Sequence, residues 1–548
     1  MKTFRFIITL IIILCAGPAL AAPTASTGPW GVDYEAVKSA FGNFSSAVNS
    51  SALAGSNLVI TKPVTCNNDL TIPATVSIEI KSGGSINVSA GKTLTINGGF
   101  RSDNGKSLPG AGRVVFNPLM VADVNALWFG ASPSETAANN TTVLNKLLSS
   151  YPSVYLPSGT YAVNALTMSK NGARFHGDPG YETGSSYPMA GTILSSGGVT
   201  CLTVNGGTPT DRVTIDGIAF IGTGTGIGMY VKNVRQSTFS RLMFYNFDKC
   251  MHFETLNWLN KLNDIKAFNF NTGIYLNSGS EDSVYENIIA RGYNPTSIGL
   301  FLNYYAQLNY FVNCDFSDNF YNVKIWASLG DPVLTFESCT FEQGTAYADN
   351  SRGIYASVSV PMTINMIGSR LYYKMNDAHK PSAVAFEAGG TGGINLNIIG
   401  TKITEYPLIF KSSSTGFTRI FGEIRAVTAA GYTLFSGVSG ATNITVSNNP
   451  VKNLLSKTGT YDFTWDTATP LTFDLSQLGT GGRAKIYISL SGAPDKYGEI
   501  TIMEKGYYSN GLALEQSDAG NVYTESVSGN ILTITAASSF TAVVKIVK

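Results

Sequence analysis

The sequence predicts an all-β chain, most of it a single-stranded parallel β-helix (a solenoid), with a short capping helix at its start and a β-rich, sandwich-like module at its end. Three observations predict this. Segments repeat from about Val213 to Val438. Within each repeat, apolar and polar residues alternate with a period of two, which marks strands rather than paired helices. Only 13% of the 548 residues are charged while 44% are hydrophobic. Soluble domains carry about 25% charge on average, so this surface is neutral-polar and ample apolar matter remains for a long core.

The chain opens MKTFRFIITLIIILCAGPALAA. Lys2 and Arg5, the apolar run Phe6 to Cys15 and the small-x-small Ala19-Leu20-Ala21 read as a secretory signal peptide over residues 1–21. That run is too short to span a bilayer, and no later segment is long and apolar enough to do so. The expectation is a secreted protein, extracellular or periplasmic, without membrane insertion. The remaining cysteines, Cys66, Cys201, Cys250, Cys314 and Cys339, are odd in number, which argues against a full disulfide framework. His176, His252 and His379 have no zinc-like spacing to cysteine. With 37 Lys+Arg against 36 Asp+Glu there is no basic excess to neutralise phosphates, so nucleic acid is not an expected partner.

In residues 22–55, Tyr34 to Val48 read as a short amphipathic helix. Residues 56–125 alternate strongly and form a strand-rich N-terminal cap. Val143, Leu144, Leu147 and Leu148 lie at helical spacing, so Glu135 to Tyr151 read as a helix, followed by the strand–turn–strand SVYLPSGTYAV. Residues 126–450 form the β-helix. In residues 451–548, AKIYISL, YGEITIME, NILTIT and AVVKIVK are strands between polar turns, which read as the sandwich-like module.

Within the β-helix, one inward column runs Phe244, Ala267, Ala290, Phe316, Phe341, Leu371, Ile403, at gaps of 23, 23, 26, 25, 30 and 32 residues. Such a repeat buries its apolar face only by stacking on its neighbours. Asp264, Asn287, Asn313 and Ser338 form a polar column, read as side chains hydrogen-bonding along the stack. Cys314 and Cys339 share an inward column, either as a disulfide or as a small apolar stack.

NALWFGASPSETAANNTTVLNKLLSSYPSVYLPSGTYAV carries Phe129-Gly130-Ala131 and Tyr155-Leu156-Pro157-Ser158-Gly159-Thr160-Tyr161. It resembles the opening of the pectate-lyase-like superfamily of right-handed parallel β-helix proteins, although Ser132 to Ala137 stand where that superfamily often has several Asp. The resemblance implies a right-handed coil over Ala126 to Val438. It leaves the reaction open among lyases, hydrolases, epimerases, tailspikes and adhesins. By the same resemblance the C-terminal module serves trimerisation or sugar contact, which makes a homotrimer one expected assembly.

Two outward patterns are candidate sites. Along the second strand of each coil, His252, Tyr275, Phe301, Trp326 and Tyr355 form one column, with Glu254, Asn277, Asn303, Ser328, Ser357, Glu387 and Lys411 two residues on. An exposed ring stripe of this kind implies a partner. A polysaccharide or oligosaccharide fits, with C–H faces on the rings and hydroxyls on Asn277 and Asn303; a loop, a terminus or a sister subunit is the alternative cover. In the loop preceding that strand, Arg291, Asp315, Asp318 and Glu342 fall on three neighbouring coils. Paired carboxylates of this kind suit a glycoside hydrolase, with the opposite reading a solvated patch in which Arg291 pairs Asp318. A lyase would use Arg291 or Lys266 as base. No metal or cofactor motif stands out, and calcium would enter only for a lyase. A non-catalytic glycan-binding or adhesin-like surface protein is the third expectation.

Overall fold

The inward column pairs in the parallel ladders as the repeat requires. Phe244 stands beside Ala267, Ala267 beside Ala290 and Ala290 beside Phe316. Phe341 stands beside Leu371, and Leu371 beside Ile403. The Phe316 and Phe341 rings stack at 6.1 Å across the coil between these runs. All seven residues are at most 1% exposed. The computed structural model describes residues 31–103, 105–180, 190–304, 307–343, 351–373, 383–416 and 418–427, and beyond these the backbone of the C-terminal strands. Residues 1–21, expected to be a signal peptide and containing Cys15, lie outside the described residues.

The chain divides into two compact units, Met1–Asp123 with Leu127–Gly130 and Val124–Ala126 with Ala131–Lys548. In the second unit each coil supplies one strand to each of three parallel ladders, here called sheets A, B and C. One coil is Asn309–Val312 in sheet A, Asp315–Ser317 in sheet B and Tyr321–Ala327 in sheet C. The next is Val333–Glu337, Thr340–Gln343 and Arg352–Val358, paired to the first in the same order. This is a parallel β-helix: alternate residues of all three sheets enter one interior, so the fold is specified by inward columns and the outward columns are free to carry chemistry.

The turns explain the polar column. Between sheets A and B the chain turns through one residue with positive φ: Arg241, Asp264, Asn287, Asn313 and Ser338, at 51–55°, then Gly368 and Gly400. Asn, Asp and Gly tolerate that left-handed backbone best. The column is therefore a backbone device, not the expected side-chain ladder, and Asn287 reaches Asn263 (3.2 Å) instead of Asp264. The buried polar ladder lies where sheet C returns to sheet A. The Ser237 amide donates to Asn260 Oδ1 (3.0 Å), the Asn260 amide to Ser283 Oγ (3.2 Å) and the Ser283 amide to Asn309 Oδ1 (3.3 Å). Each satisfies a buried N–H that would otherwise be costly.

Cys314 and Cys339 are buried free thiols, each donating at 3.4 Å to a carbonyl, of Tyr285 and Phe311 respectively. Helix Ala137–Ser150 is capped by Thr136 and buries Leu144, Leu147 and Leu148. Asn140 within it accepts from the Ser132 amide (2.9 Å) and donates to the Ser132 and Ala162 carbonyls. The C-terminal residues form antiparallel sheets of five and three strands.

The first unit also winds in parallel strands. Asn57–Ile60, Ser77–Ile80 and Phe100–Ser102 stack in one ladder, and Leu70–Ile72, Thr93–Ile96 and Arg113–Phe116 in another. Its N-terminal part is two short helices, Tyr34–Phe41 and Phe44–Val48, not one. Gly42, at φ 73°, ends the first, and Asn43 caps the second by accepting from the Ser46 amide. Among the described residues no helix is long and apolar enough to cross a membrane.

Candidate functional site

Sheet C presents a continuous outward column. In register order it runs Tyr230, His252, Tyr275, Phe301, Lys324, Tyr355, Glu387, Lys411. Neighbouring rings touch: Tyr230–His252 at 5.1 Å, His252–Tyr275 at 4.6 Å and Tyr275–Phe301 at 5.0 Å between centroids. Trp326 was expected in this column and instead stands one column over, between Asn303 and Ser357. The physical reason is the turn length. Eight residues separate Phe316 from Lys324, as eight separate Phe244 from His252 and Ala267 from Tyr275, so Lys324 takes the ring position. Ser328 drops out of the neighbouring column for the same reason, and Glu387 and Lys411, expected in that neighbouring column, stand instead in register with Tyr355, while Ser357 keeps its expected place. Trp326 still meets Phe301 diagonally, at 5.7 Å, and is 48% exposed.

Beside the rings runs a polar network. His252 Nε2 lies 2.9 Å from Glu254 Oε2. Asn277 Nδ2 donates to both Glu254 oxygens, at 2.8 and 2.7 Å. Asn303 Nδ2 donates to Asn277 Oδ1 (3.0 Å) and to the Tyr275 hydroxyl (2.9 Å). Burial pushes the His252 pKa down, against the opposing pull of Glu254. At the far end of the column, Glu387 takes Arg352 on one oxygen and Lys411 Nζ (2.9 Å) on the other. The Arg352 and Glu387 side chains are only 11% and 9% exposed.

Sheet B places the charged candidates differently from expectation. Arg291 Nη2 pairs with Asp315 Oδ2 at 2.5 Å, not with Asp318. The Ser317 hydroxyl donates to the other Asp315 oxygen and accepts from the Glu342 amide at 3.3 Å. Asp315 is thus occupied on both oxygens. Burial pulls the Arg291 pKa down, but the hydrogen bond and charge of Asp315 outweigh it and leave it raised. Asp318 sits at the B-to-C turn with φ 54°, and its amide donates to the Glu342 carbonyl at 2.8 Å. Glu342 projects from sheet B in register with Tyr372. Among the described residues its carboxylate has neither an ion-pair nor a hydrogen-bond partner. Asp318 and Glu342 are therefore brought to one turn, Arg291 and Asp315 close on each other, and the rings stand on the next sheet, three residues after Asp318, where Tyr321 begins strand C.

Two further features escaped the sequence reading. Asp216 on sheet A is paired with Arg241 and accepts from Ser240 Oγ at 2.8 Å. A cavity of about 300 Å³ lies between Pro179–Gly180 and Ala219, Arg241, Met243 and Lys266. Partners 24 or 25 residues apart give these features away only once the coil period is known. Among the described residues no three of His, Cys, Asp and Glu converge.

No family model matches the chain, and no curated protein does. Solved structures similar to it include the tailspike protein of Acinetobacter phage vB_ApiP_P1, 13% identical over 78% of this chain and 86% of that one, with a TM-score of 0.39. The A-module of a mannuronan C-5 epimerase from Azotobacter vinelandii is 15% identical over 61% of this chain and 98% of that one, with a TM-score of 0.40. An alginate lyase from a Paenibacillus species is 12% identical over 57% of this chain and 98% of that one, with a TM-score of 0.34.

Proposed function

We propose that the chain is a polysaccharide-active protein that lays an extended glycan across the outward face of sheet C, and that it is a glycoside hydrolase cutting at the B-to-C turn. The ring column from Tyr230 to Phe301, with Trp326 beside it, is the observation behind the first half. Its rings offer flat apolar faces to sugar C–H groups, while Asn277 and Asn303 supply hydroxyl partners. An outward apolar stripe of this length implies a binding partner.

The catalytic half rests on Asp318 and Glu342. Hydrolysis needs one protonated carboxyl to protonate the leaving oxygen and one ionised carboxylate to act as base or nucleophile. Glu342, with no cation paired to it among the described residues, is the acid in this reading, and Asp318 the second group. Asp315 is a positioning residue, held by Arg291 and Ser317. Arg291, fixed as a cation, is unsuited to be the base of a lyase.

Glu342→Gln and Asp318→Asn are each expected to lower the release of reducing ends by about 10²–10⁴-fold, with thermal unfolding unchanged. Unaltered turnover in both would dispose of the assignment. The separation of the acidic pair on sheet B from the rings on sheet C favours one second reading, a non-catalytic glycan-binding surface protein. That reading predicts retention on immobilised glycans with neither reducing ends nor the ultraviolet absorbance of an unsaturated uronate. The site of action is proposed to lie outside the cytoplasm; sequencing the exported protein should then find its N-terminus near residue 22.

A further inference from the structure

Lys324, on the sheet C strand Tyr321–Ala327, lies among three rings. Its Nζ lies 4.4 Å from the Trp326 ring, 5.2 Å from Phe301 and 5.2 Å from Tyr321. No carboxylate meets it among the described residues. Lys249, by contrast, has Asp248, and Arg352 and Lys411 share Glu387. Counting Lys324, Arg352 and Lys411 against Glu387, three cations face one anion on successive coils, an excess of two positive charges in a chain whose formal net charge is +1.

An ammonium wedged among rings gains cation–π attraction, but the rings satisfy none of its N–H donors as an oxygen anion would. Burial accordingly pushes the Lys324 pKa down, the mark of a cation that has lost water without gaining a counter-ion. Trp326, 48% exposed, offers a sugar-sized platform beside the same ammonium.

We propose that Lys324, flanked by Trp326, Phe301 and Tyr321, is a subsite for an acidic sugar unit, one that bears a carboxylate or a sulfate ester. The ring of the unit stacks on Trp326 and its anionic group completes the hydrogen bonding of the Lys324 ammonium. This rests on the glycan reading of sheet C and narrows it to anionic polysaccharides. It assigns Lys324 the part of selecting charge while the upstream column Tyr275, Phe301, Asn277 and Asn303 binds sugar without regard to charge.

The test is calorimetric titration of the full chain with polygalacturonate, dextran sulfate and their neutral partners, carboxyl-reduced polygalacturonate and dextran. The wild type should bind one acidic polymer about tenfold more tightly than its neutral partner, a preference that shrinks as salt is raised. Which acidic polymer shows it separates carboxylate from sulfate. Lys324→Gln should bring the preference below about twofold, and Lys324→Arg should retain it. Equal wild-type affinity for acidic and neutral forms, or a preference that survives Lys324→Gln, overturns the proposal and leaves the glycan reading standing. Absence of binding to all four polymers overturns both.

Discussion

Sheets B and C are laid down by the same coils, yet their outward faces differ in kind. On sheet B, Ala219, Met243 and Phe268 are buried at 1%, 7% and 3% exposure, and Arg291 and Asp315 close on each other. On sheet C the rings remain in a row with Trp326 half in solvent, and Lys324 lies against them without a carboxylate. In a solenoid the inward columns set the stack, so two faces of one coil can diverge without disturbing it. Part of the sheet B face is closed over, although a cavity beside Met243 and the Glu342 carboxylate remain on it, while sheet C keeps its rings and Lys324 outward.

The largest expected effect tests what the two faces share. Phe244→Ala removes a ring from the common interior and should cost about 3–5 kcal/mol, read as a lower denaturant midpoint. A loss below about 0.5 kcal/mol would mean that the residue faces solvent. The ion pairs then separate the faces. Glu387→Gln on sheet C leaves Arg352 buried without its partner and should cost about 3 kcal/mol. Asp315→Asn on sheet B involves side chains 38% and 23% exposed, so after discounting for solvent it should cost about 1 kcal/mol or less. Equal losses would erase the distinction.

A smaller effect is linked to pH. The folded His252 pKa lies below its ordinary value of about 6.5 because burial disfavours the charged ring. The unfolded chain therefore takes up the proton first as pH falls. The contribution of His252 is complete above about pH 6.5 and is lost as the pH falls through that value toward the lower folded pKa. His252→Gln should flatten stability against pH in this window, as followed by thermal unfolding at a series of pH values. An unchanged slope would remove His252 from the account.

The interior was legible in the sequence because burial and alternation are local signals: Phe244, Ala267, Ala290, Phe316 and Phe341 reveal themselves by spacing alone. The turn column was visible but misread, since Asp264 and Asn287 serve a left-handed backbone that side-chain chemistry only hints at. The slip from Lys324 to Trp326 came from matching ring to ring; the eight-residue step that joins Phe244 to His252 and Ala267 to Tyr275 points to the lysine, but the step is 11 residues from Ala290 to Phe301 and 14 from Phe341 to Tyr355, so spacing alone left the position open. The Ser237, Asn260, Ser283, Asn309 ladder follows the 23, 23 and 26 residue spacing of the core and was open to the same count. The Arg352–Glu387 pair was not, because coils of changing length separate its members by 35 residues. Which carboxylates near Arg291 would pair could not be read either, because Asp315 and Asp318 differ by one turn in where they point.

The most direct test of the open face compares two double variants for retention on immobilised polysaccharides. Tyr275→Ala with Trp326→Ala strips the rings of sheet C, whereas Ile221→Ser with Tyr245→Ser alters sheet B by a similar apolar area. The account predicts that a glycan retained by the wild type is lost by the sheet C variant and kept by the sheet B variant, both folded by thermal unfolding. Retention unchanged in the sheet C variant, or lost only in the sheet B variant, would contradict it.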